Sequence, residues 1–275
     1  MTTAPARYVL LERKDRSASL SSWITSTMNM LHAAVATGFT AHVHWPAHRC
    51  PGAYHDEAAF ALRPNMFDWY FDQWWCPAPP AFAVEKWVGD DIAIVRDHPI
   101  DDYWAFYARY LVFNAEVRAR FEALLARHAL RPEKTVAIAW RGTDSVVDGR
   151  PAVPMESFFS RIDALLEAEP DLAIVAKPEE RGAADALRAR YPRAIVPAEF
   201  FIAETGEPQM QDWVHPAPGF ERGMEAMLLI LLFSRCRYLL KNDSNLSDVA
   251  TRLSTGTVIA WATATRSYIQ RLATP

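Results

Sequence analysis

The chain has 275 residues, of which 51% are hydrophobic and 23% are charged, and its formal net charge is −4. This length suits one large α/β domain or two smaller ones, and the small charge excludes the strongly basic field of a general nucleic-acid binder. Three scattered cysteines without CxxC spacing indicate a reducing, cytoplasmic location rather than a disulfide framework or a zinc site. We expect neither a secretory signal nor a transmembrane segment.

The first half of the chain predicts a βαβ unit. The hydrophobic patterns give a strand at Arg7–Glu12, a polar loop at 13–22, a helix at 23–37 closed by Gly38, and a strand at 39–45. Open α/β sheets bind ligands beyond the carboxyl ends of their strands, so Ser19 and Ser21 are candidate ligand contacts. Alternatively, these serines form a solvated turn that caps the helix.

Four histidines of the first half do not predict a metal site. They lie close together in sequence, at His42, His44, His48 and His55. His42 and His44 share one face of the predicted strand, but no carboxylate or cysteine completes a ligand set with them. We therefore predict no metal.

An aromatic segment follows at 65–80, with the sequence NMFDWYFDQWWCPAPP. Its rings could form a local core, or they could form a platform on which sugar rings stack. Apolar residues at helical spacing then predict one or two helices at 103–130. The break at 131–133 predicts a boundary between a domain at 1–130 and a second domain at 131–275.

The central stretch at 135–144, TVAIAWRGTD, changes character halfway along. Residues 136–140 form an apolar run typical of a buried parallel strand. Arg141 follows directly, with Thr143 and Asp144 behind it, and a guanidinium at a strand end is placed to clamp a phosphate with two hydrogen bonds. The alternative is a structural ion pair between Arg141 and a nearby carboxylate.

The second half repeats the order of strand, loop and helix. We predict helices at 155–168, 183–191, 223–234 and 265–272, strands at 171–176, 194–196, 238–241 and 257–261, and an irregular active-site rim at 200–219. Ser244, Asn245 and Ser247 lead into a further helix, and hydroxyls beside helix-start amides are groups that hold phosphate. Alternatively, Asp243 or Ser244 merely caps this helix.

These segments together resemble a known family. VAIAWRGTD, DLAIVA and GMEAMLLILLFSRCRYLLKNDSNLSDVA, between residues 136 and 253, are similar to the donor-binding half of α1,6-fucosyltransferases, bacterial nodulation fucosyltransferases and the broader GDP-fucose-dependent group. The resemblance implies an α/β fold of two Rossmann-like domains facing a cleft, the GT-B arrangement. Residues 1–130 would then form the acceptor side, and residues 131–275 the nucleotide-sugar-binding domain.

The resemblance also implies roles for individual residues. The positions that fall on the family's diphosphate-binding residues and their neighbours are Arg141, Thr143, Asp144, Ser244, Asn245 and Ser247. Such enzymes transfer the sugar with inversion and without a required metal. A fixed guanidinium at Arg141 would stabilise the negative charge that develops on the leaving diphosphate, and Asp144 is the second catalytic candidate.

The sequence departs from the family pattern at positions that read the base. Leu229 stands where the family has an aspartate that contacts guanine, and a hydrocarbon side chain cannot accept hydrogen bonds. Ala139 replaces a histidine, Gly142 replaces a second arginine, and residues 177–179 (KPE) replace Thr-Asp-Asp. The phosphate-binding features are therefore retained better than the base-reading ones.

Two hypotheses of function follow. The first is a glycosyltransferase of fucosyltransferase type that transfers a sugar, with GDP-fucose as the suspected donor, to a glycan or other hydroxyl acceptor. Asp68 and Asp72 are candidates for the base that deprotonates this acceptor. The second is a relative that binds a nucleotide or glycan without turnover. Both predict a nucleotide-sugar or glycan partner, with no nucleic acid and no further cofactor.

Overall fold

The computed structural model describes residues 7–12, 19–76, 85–88, 97, 102–141, 153–204, 215–242 and 244–260. The strands are β1 (Arg7–Glu12), β2 (Phe39–Val43), β3 (Glu85–Val88), β4 (Thr135–Ala139), β5 (Ala173–Lys177), β6 (Tyr238–Lys241) and β7 (Thr257–Ala260). The α-helices are α1 (Leu20–Ala36), α2 (Glu57–Leu62), α3 (Tyr103–Tyr110), α4 (Ala115–Arg127), α5 (Phe159–Ala168), α6 (Arg181–Arg190), α7 (Gly219–Arg235) and α8 (Asn245–Leu253). The chain thus has a mixed α/β fold with parallel sheets, which confirms the α/β part of the predicted fold class. The helix predicted at 265–272 lies outside the described residues.

By its internal contacts the chain divides into two compact units. Unit 1 comprises Met1–Arg118 and Pro218–Met224, and unit 2 comprises Ala119–Ala217 and Glu225–Pro275. The inclusion of residues 218–224 in unit 1 has no counterpart in the expectations from sequence. The boundary predicted after residue 130 stays a prediction.

The sheet of unit 1 contains three parallel strands in the order β2-β1-β3. Helix α1 contacts β1 and β2, and its apolar side chains at helical spacing are buried because they face the sheet. The helix begins three residues earlier than predicted, since Ser19 caps it through a hydrogen bond from Ser22 N. Gly38 follows its end with a φ of 79°, a conformation that glycine adopts without steric cost.

The aromatic segment of unit 1 forms mainly a local core. Phe67, Trp69, Tyr70 and Phe71 are at most 1% exposed. Trp45 of the preceding segment packs edge-on against Phe67, with 5.1 Å between ring centroids. The core interpretation of this segment is therefore confirmed for these four rings. Outside this core lies Trp74, which is 52% exposed.

The sheet of unit 2 contains four parallel strands in the order β5-β4-β6-β7. All five residues of β4 are buried, as its apolar run predicts. The strand predicted at 194–196 is reduced to one parallel bridge, between Val175 and Ile195. The sheet places β5 and β6 on opposite sides of β4, and this arrangement defines where a ligand site is expected.

Helix α7 carries the most apolar window of the sequence. Its 17 residues include Met227, Leu229 and Ile230, which are buried. None of the helices in the described ranges is long and apolar enough to cross a bilayer.

Candidate functional site

The candidate site of unit 2 lies at the carboxyl ends of β4 and β6. After β4 the chain builds β5 on one side of that strand, and it later returns to build β6 on the other side. Connections that leave neighbouring strands in opposite directions open a crevice at this edge of a parallel sheet, and ligands bind there. Arg141 and Asn242 lie just beyond the ends of the two strands.

Asn242 links the two strand ends. The main-chain N–H of Arg141 donates to Asn242 Oδ1 at 2.8 Å, and Asn242 Nδ2 donates back to the main-chain oxygen of Arg141. Asn242 is only 3% exposed. One buried amide therefore pairs with both main-chain groups of Arg141. This link fixes Arg141 next to the turn that contains Ser244.

The side chain of Arg141 has a carboxylate within ion-pair distance. Arg141 Nε lies 3.8 Å from Glu179 Oε1, and their side chains are 22% and 8% exposed. This separation is too long for a hydrogen bond, so the contact is electrostatic. Glu179 is the kind of partner that the ion-pair interpretation requires, yet part of the Arg141 side chain still reaches solvent.

The turn at 244–247 starts helix α8. Ser244 is the N-cap, and its hydroxyl accepts from Ser247 N at 3.5 Å. Ser247 is fully buried and its hydroxyl donates to the main-chain oxygens of Ser244, at 3.0 Å, and Asn242, at 3.3 Å. Asn245 is exposed at the first helical position. The capping alternative thus describes Ser244, and Ser247 stabilises the turn; phosphate contacts from these residues stay predictions.

A second cation, Lys241, lies at the same strand end. It is 3% exposed and forms an ion pair with Asp248 in the first turn of α8. Sequence reasoning missed this residue because a lysine at the end of a strand is usually solvated. The available signal was its position directly before Asn242, inside an otherwise apolar strand.

The remaining residues predicted for the donor site are Ser19, Ser21, Thr143 and Asp144. Ser19 caps α1 in unit 1, and Ser21 is buried in the first turn of the same helix. Thr143 and Asp144 lie outside the described residues. The structure therefore links Arg141 to Asn242, two residues before Ser244, and the predicted ligand contacts stay predictions.

The two candidates for the general base lie in unit 1. Asp68 is half-buried, and its two oxygens accept hydrogen bonds from Gln73 Nε2 at 2.7 Å and Asn65 Nδ2 at 3.0 Å. Asp72 is exposed, and its Oδ2 lies 3.7 Å from a terminal nitrogen of Arg118. Asp68 is held in one orientation by two amides, whereas Asp72 takes part in a loose surface ion pair.

Burial lowers the pKa of both His42 and His44 below the ordinary value of 6.5. A hydrogen bond to the main-chain oxygen of Cys76 and the charge of Asp68 oppose this shift at His42. In the described part of the chain, no group of three or more His, Cys, Asp and Glu side chains is arranged to hold a metal ion.

The position aligned with the guanine-reading aspartate lies in the core. Leu229 is 3% exposed in α7. One turn earlier on that helix, Glu225 accepts hydrogen bonds from Phe201 N at 3.2 Å and forms a 2.9 Å ion pair with His215. Sequence reasoning missed Glu225 because its partners, Phe201 and His215, lie outside any predicted helix or strand that would place them beside it.

No family model and no curated protein matches this chain in sequence. The fold is similar to that of the NodZ α-1,6-fucosyltransferase co-crystallised with GDP, at 15% identity and a TM-score of 0.58 over 94% of this chain and 96% of that one. NodZ from Bradyrhizobium gives 16% identity and a TM-score of 0.56, with the same coverage. A mutant of FUT1 from Arabidopsis thaliana in complex with GDP gives 11% identity and a TM-score of 0.57, over 94% and 71%. The chain therefore has a fold similar to that of fucosyltransferases.

Proposed function

We propose that the chain is a glycosyltransferase of fucosyltransferase type, with a nucleoside diphosphate sugar as donor. The observation that carries the proposal is the Asn242 bridge, which fixes Arg141 beside the N-terminus of α8. The N-terminus of a helix is the positive end of its dipole. A guanidinium and a helix N-terminus together suit a diphosphate.

The proposed reaction is an inverting displacement. An acceptor hydroxyl oxygen forms a bond to the anomeric carbon while the bond from that carbon to the diphosphate oxygen breaks. The hydroxyl proton passes to a base, and the nucleoside diphosphate leaves with the bonding electrons. Arg141 and the α8 amides would stabilise the charge that develops on the diphosphate, and removal of one such contact costs about 3 kcal/mol of activation free energy.

The proteins of similar fold support a more detailed proposal for the donor and the domain arrangement. NodZ has been crystallised with GDP and soaked with GDP-fucose, which supports GDP-fucose as the donor here. We also propose a GT-B arrangement with a Rossmann-like donor domain at 131–275, metal-independent transfer, and contributions from Thr143 and Asp144. A cytoplasmic location is supported by the three cysteines, which are buried free thiols.

Calorimetric titration with GDP, UDP and GDP-fucose tests donor binding, and GDP release from GDP-fucose tests turnover. Arg141→Ala should lower turnover about a hundredfold, because the leaving-group charge loses its guanidinium. Arg141→Lys should recover little of this loss, since an ammonium cannot form the two parallel hydrogen bonds. Arg131→Ala, which removes an exposed arginine paired with Glu133, is the matched control and should leave turnover unchanged.

Three results would contradict the proposal. Failure of all three nucleotides to bind the native chain would exclude a donor site of this kind. Nucleotide binding without GDP release, in the presence of any hydroxyl acceptor, would leave a binding protein and exclude the transferase. Native turnover in Arg141→Ala would remove Arg141 from the reaction.

A further inference from the structure

Unit 1 contains an open cavity that the donor site does not use. Its volume is about 580 Å³, within the range of about 300–1,000 Å³ typical of small-molecule sites. It is lined by residues of the aromatic segment, including Asp68, Gln73 and Trp74, and by residues at the start of α4, including Asn114. The cavity therefore combines one exposed indole with several hydrogen-bonding side chains.

The polar wall of the cavity is built onto the carboxyl end of β2. Gln73 is 8% exposed; its Oε1 accepts from Val43 N at 2.8 Å, and its Nε2 donates to Val43 O at 3.0 Å and to Asp68 Oδ1 at 2.7 Å. Asn65 holds the other oxygen of Asp68 and also bonds to Val43 O. The carboxylate of Asp68 is thus pre-oriented, and each of its oxygens retains capacity for a ligand hydroxyl.

A third amide, that of Asn114, fixes another part of the wall. Asn114 Nδ2 donates to Trp69 O at 2.9 Å, and Asn114 Oδ1 accepts from Val117 N at 3.0 Å. Asn114 also lines the cavity and is buried. The start of α4 is therefore held against the aromatic segment, and the cavity keeps a fixed shape.

The indole of Trp74 forms a rigid platform at the cavity. Its Nε1 donates to the main-chain oxygen of Arg109 at 3.0 Å, and its ring stacks on Tyr110 at 6.0 Å with 16° between the planes. Nevertheless, Trp74 is 52% exposed. The apolar face of a pyranose ring could stack on this exposed indole.

The charges of the cavity select against an anion. Three lining residues are carboxylates, at Asp68, Asp72 and Glu116, and one is a guanidinium, at Arg63, which pairs with Glu116 at 3.3 Å. Asp72 is likewise paired with Arg118, at 3.7 Å, whereas Asp68 is held by two amides, so the carboxylate of Asp68 is the charge that disfavours nucleotides, phosphates and acidic sugars. A neutral saccharide presents hydroxyls to carboxylates and amides and an apolar face to an indole.

We propose that this cavity binds a neutral saccharide, stacked on Trp74 and hydrogen-bonded to Asp68. The identification of this saccharide as the acceptor of a transferase rests on the proposed function, whereas the binding itself does not. Unit 1 would then carry the acceptor site, while unit 2 binds the donor.

The proposal is tested on the full chain with a panel of neutral saccharides, comprising lactose, cellobiose, maltotriose and N,N′-diacetylchitobiose, and with glucuronic acid as the anionic probe. Saturation-transfer NMR should detect binding of at least one neutral probe and none of glucuronic acid. Trp74→Ala should weaken that binding about tenfold or more, and Trp74→Phe should recover part of it. The matched control is Trp104→Ala, since Trp104 is 43% exposed in α3 and does not line the cavity.

Two results would decide against the saccharide site. Absence of binding by every neutral probe, or equal binding by native chain and Trp74→Ala, would overturn it, provided that urea unfolding shows the variant folded. GDP titration separates this outcome from failure of the proposed function. GDP binding without saccharide binding removes only the cavity assignment, and saccharide binding without GDP binding removes only the transferase.

Discussion

At the scale of single residues, Gly223 is a position where the neighbouring Tyr70 leaves no room for a side chain. A Cβ at Gly223 would lie 1.9 Å from Tyr70 Oη, and Tyr70 is fully buried with its hydroxyl bonded to Phe220 O at 3.1 Å. Gly223→Ala should therefore destabilise the chain by about 1–3 kcal/mol, because the ring has to move within a packed core. Urea unfolding monitored by circular dichroism measures this change.

The control for this prediction is Gly182→Ala. Gly182 lies in the first turn of α6, and a Cβ there would meet nothing within 4 Å. Alanine has the higher helix propensity, so this variant should be as stable as the native chain or more stable, by up to about 1 kcal/mol. Equal stability of Gly223→Ala and Gly182→Ala would show that the Tyr70 contact is not tight.

Two histidines of unit 1, the buried His42 and the half-buried His44, lead us to predict a pH dependence of stability. Because burial lowers the pKa of His42 below 6.5, the folded chain binds a proton less readily than the unfolded chain. The unfolded state therefore gains protons first as the pH falls through 6.5, and the free energy of unfolding decreases from there toward the lowered pKa. His44, whose pKa is also lowered, acts in the same direction.

The measurement is the urea midpoint between pH 8 and pH 5.5. The native midpoint should fall across this range, and His42→Gln should reduce the size of the fall, whatever its effect on stability at pH 8. The prediction concerns the change of the urea midpoint with pH and not its value at one pH, because loss of the contact to Cys76 O changes the stability at all pH values. A slope unaltered by His42→Gln would contradict it.

At the scale of elements, one side chain, that of Asn242, links the ends of β4 and β6. Asn242→Ala would leave the N–H and the oxygen of Arg141 without their amide partner, at a cost of about 2 kcal/mol. If the proposed donor site is correct, GDP affinity should fall as well, because Arg141 is no longer fixed beside α8. Asn242→Asp keeps the acceptor but sets a buried carboxylate oxygen against the main-chain oxygen of Arg141, so it should also be less stable than the native chain. Native stability in Asn242→Ala would show that the bridge contributes nothing.

Much of the order of strands and helices can be predicted from the sequence, because it depends on local patterns of apolar residues. The apolar run of β4 and the helical spacing in α1 place these elements within a few residues of their observed bounds. Strand ends also predict where Arg141 lies, since parallel strands end at one edge. The amide of Asn242 and the carboxylate of Glu179 could not be assigned in the same way, because each meets Arg141 through the sheet order and not through proximity in sequence.

At the scale of the whole molecule, unit 1 is built from two distant parts of the chain. Residues 218–224 belong to it although most of it precedes residue 119. Phe220 stacks on Tyr70, with 5.9 Å between centroids and 13° between planes, and it packs edge-on against Trp69. A sequence pattern cannot show this, because the apolar character of α7 predicts a helix but not the unit against which its first turn packs.

Because this segment completes the aromatic core, the fragment 1–118 should not fold fully on its own. Phe220 N donates to Asp56 Oδ2 at 3.3 Å, so the segment provides a polar contact as well as the ring. Loss of the Phe220 contacts alone removes about 2 kcal/mol of hydrophobic stabilisation. We expect fragment 1–118 to unfold without a cooperative urea transition.

Fusing residues 215–226 to fragment 1–118 through a flexible Gly-Ser linker should restore cooperative unfolding and near-ultraviolet circular dichroism. The same fusion with Phe220→Ala is the matched control, because it keeps the linker and the chain length but removes the ring that stacks on Tyr70. It should remain closer to the unfused fragment. If fragment 1–118 unfolds as cooperatively as the fusion, residues 218–224 do not stabilise unit 1. The aromatic core of unit 1 would then be complete without Phe220.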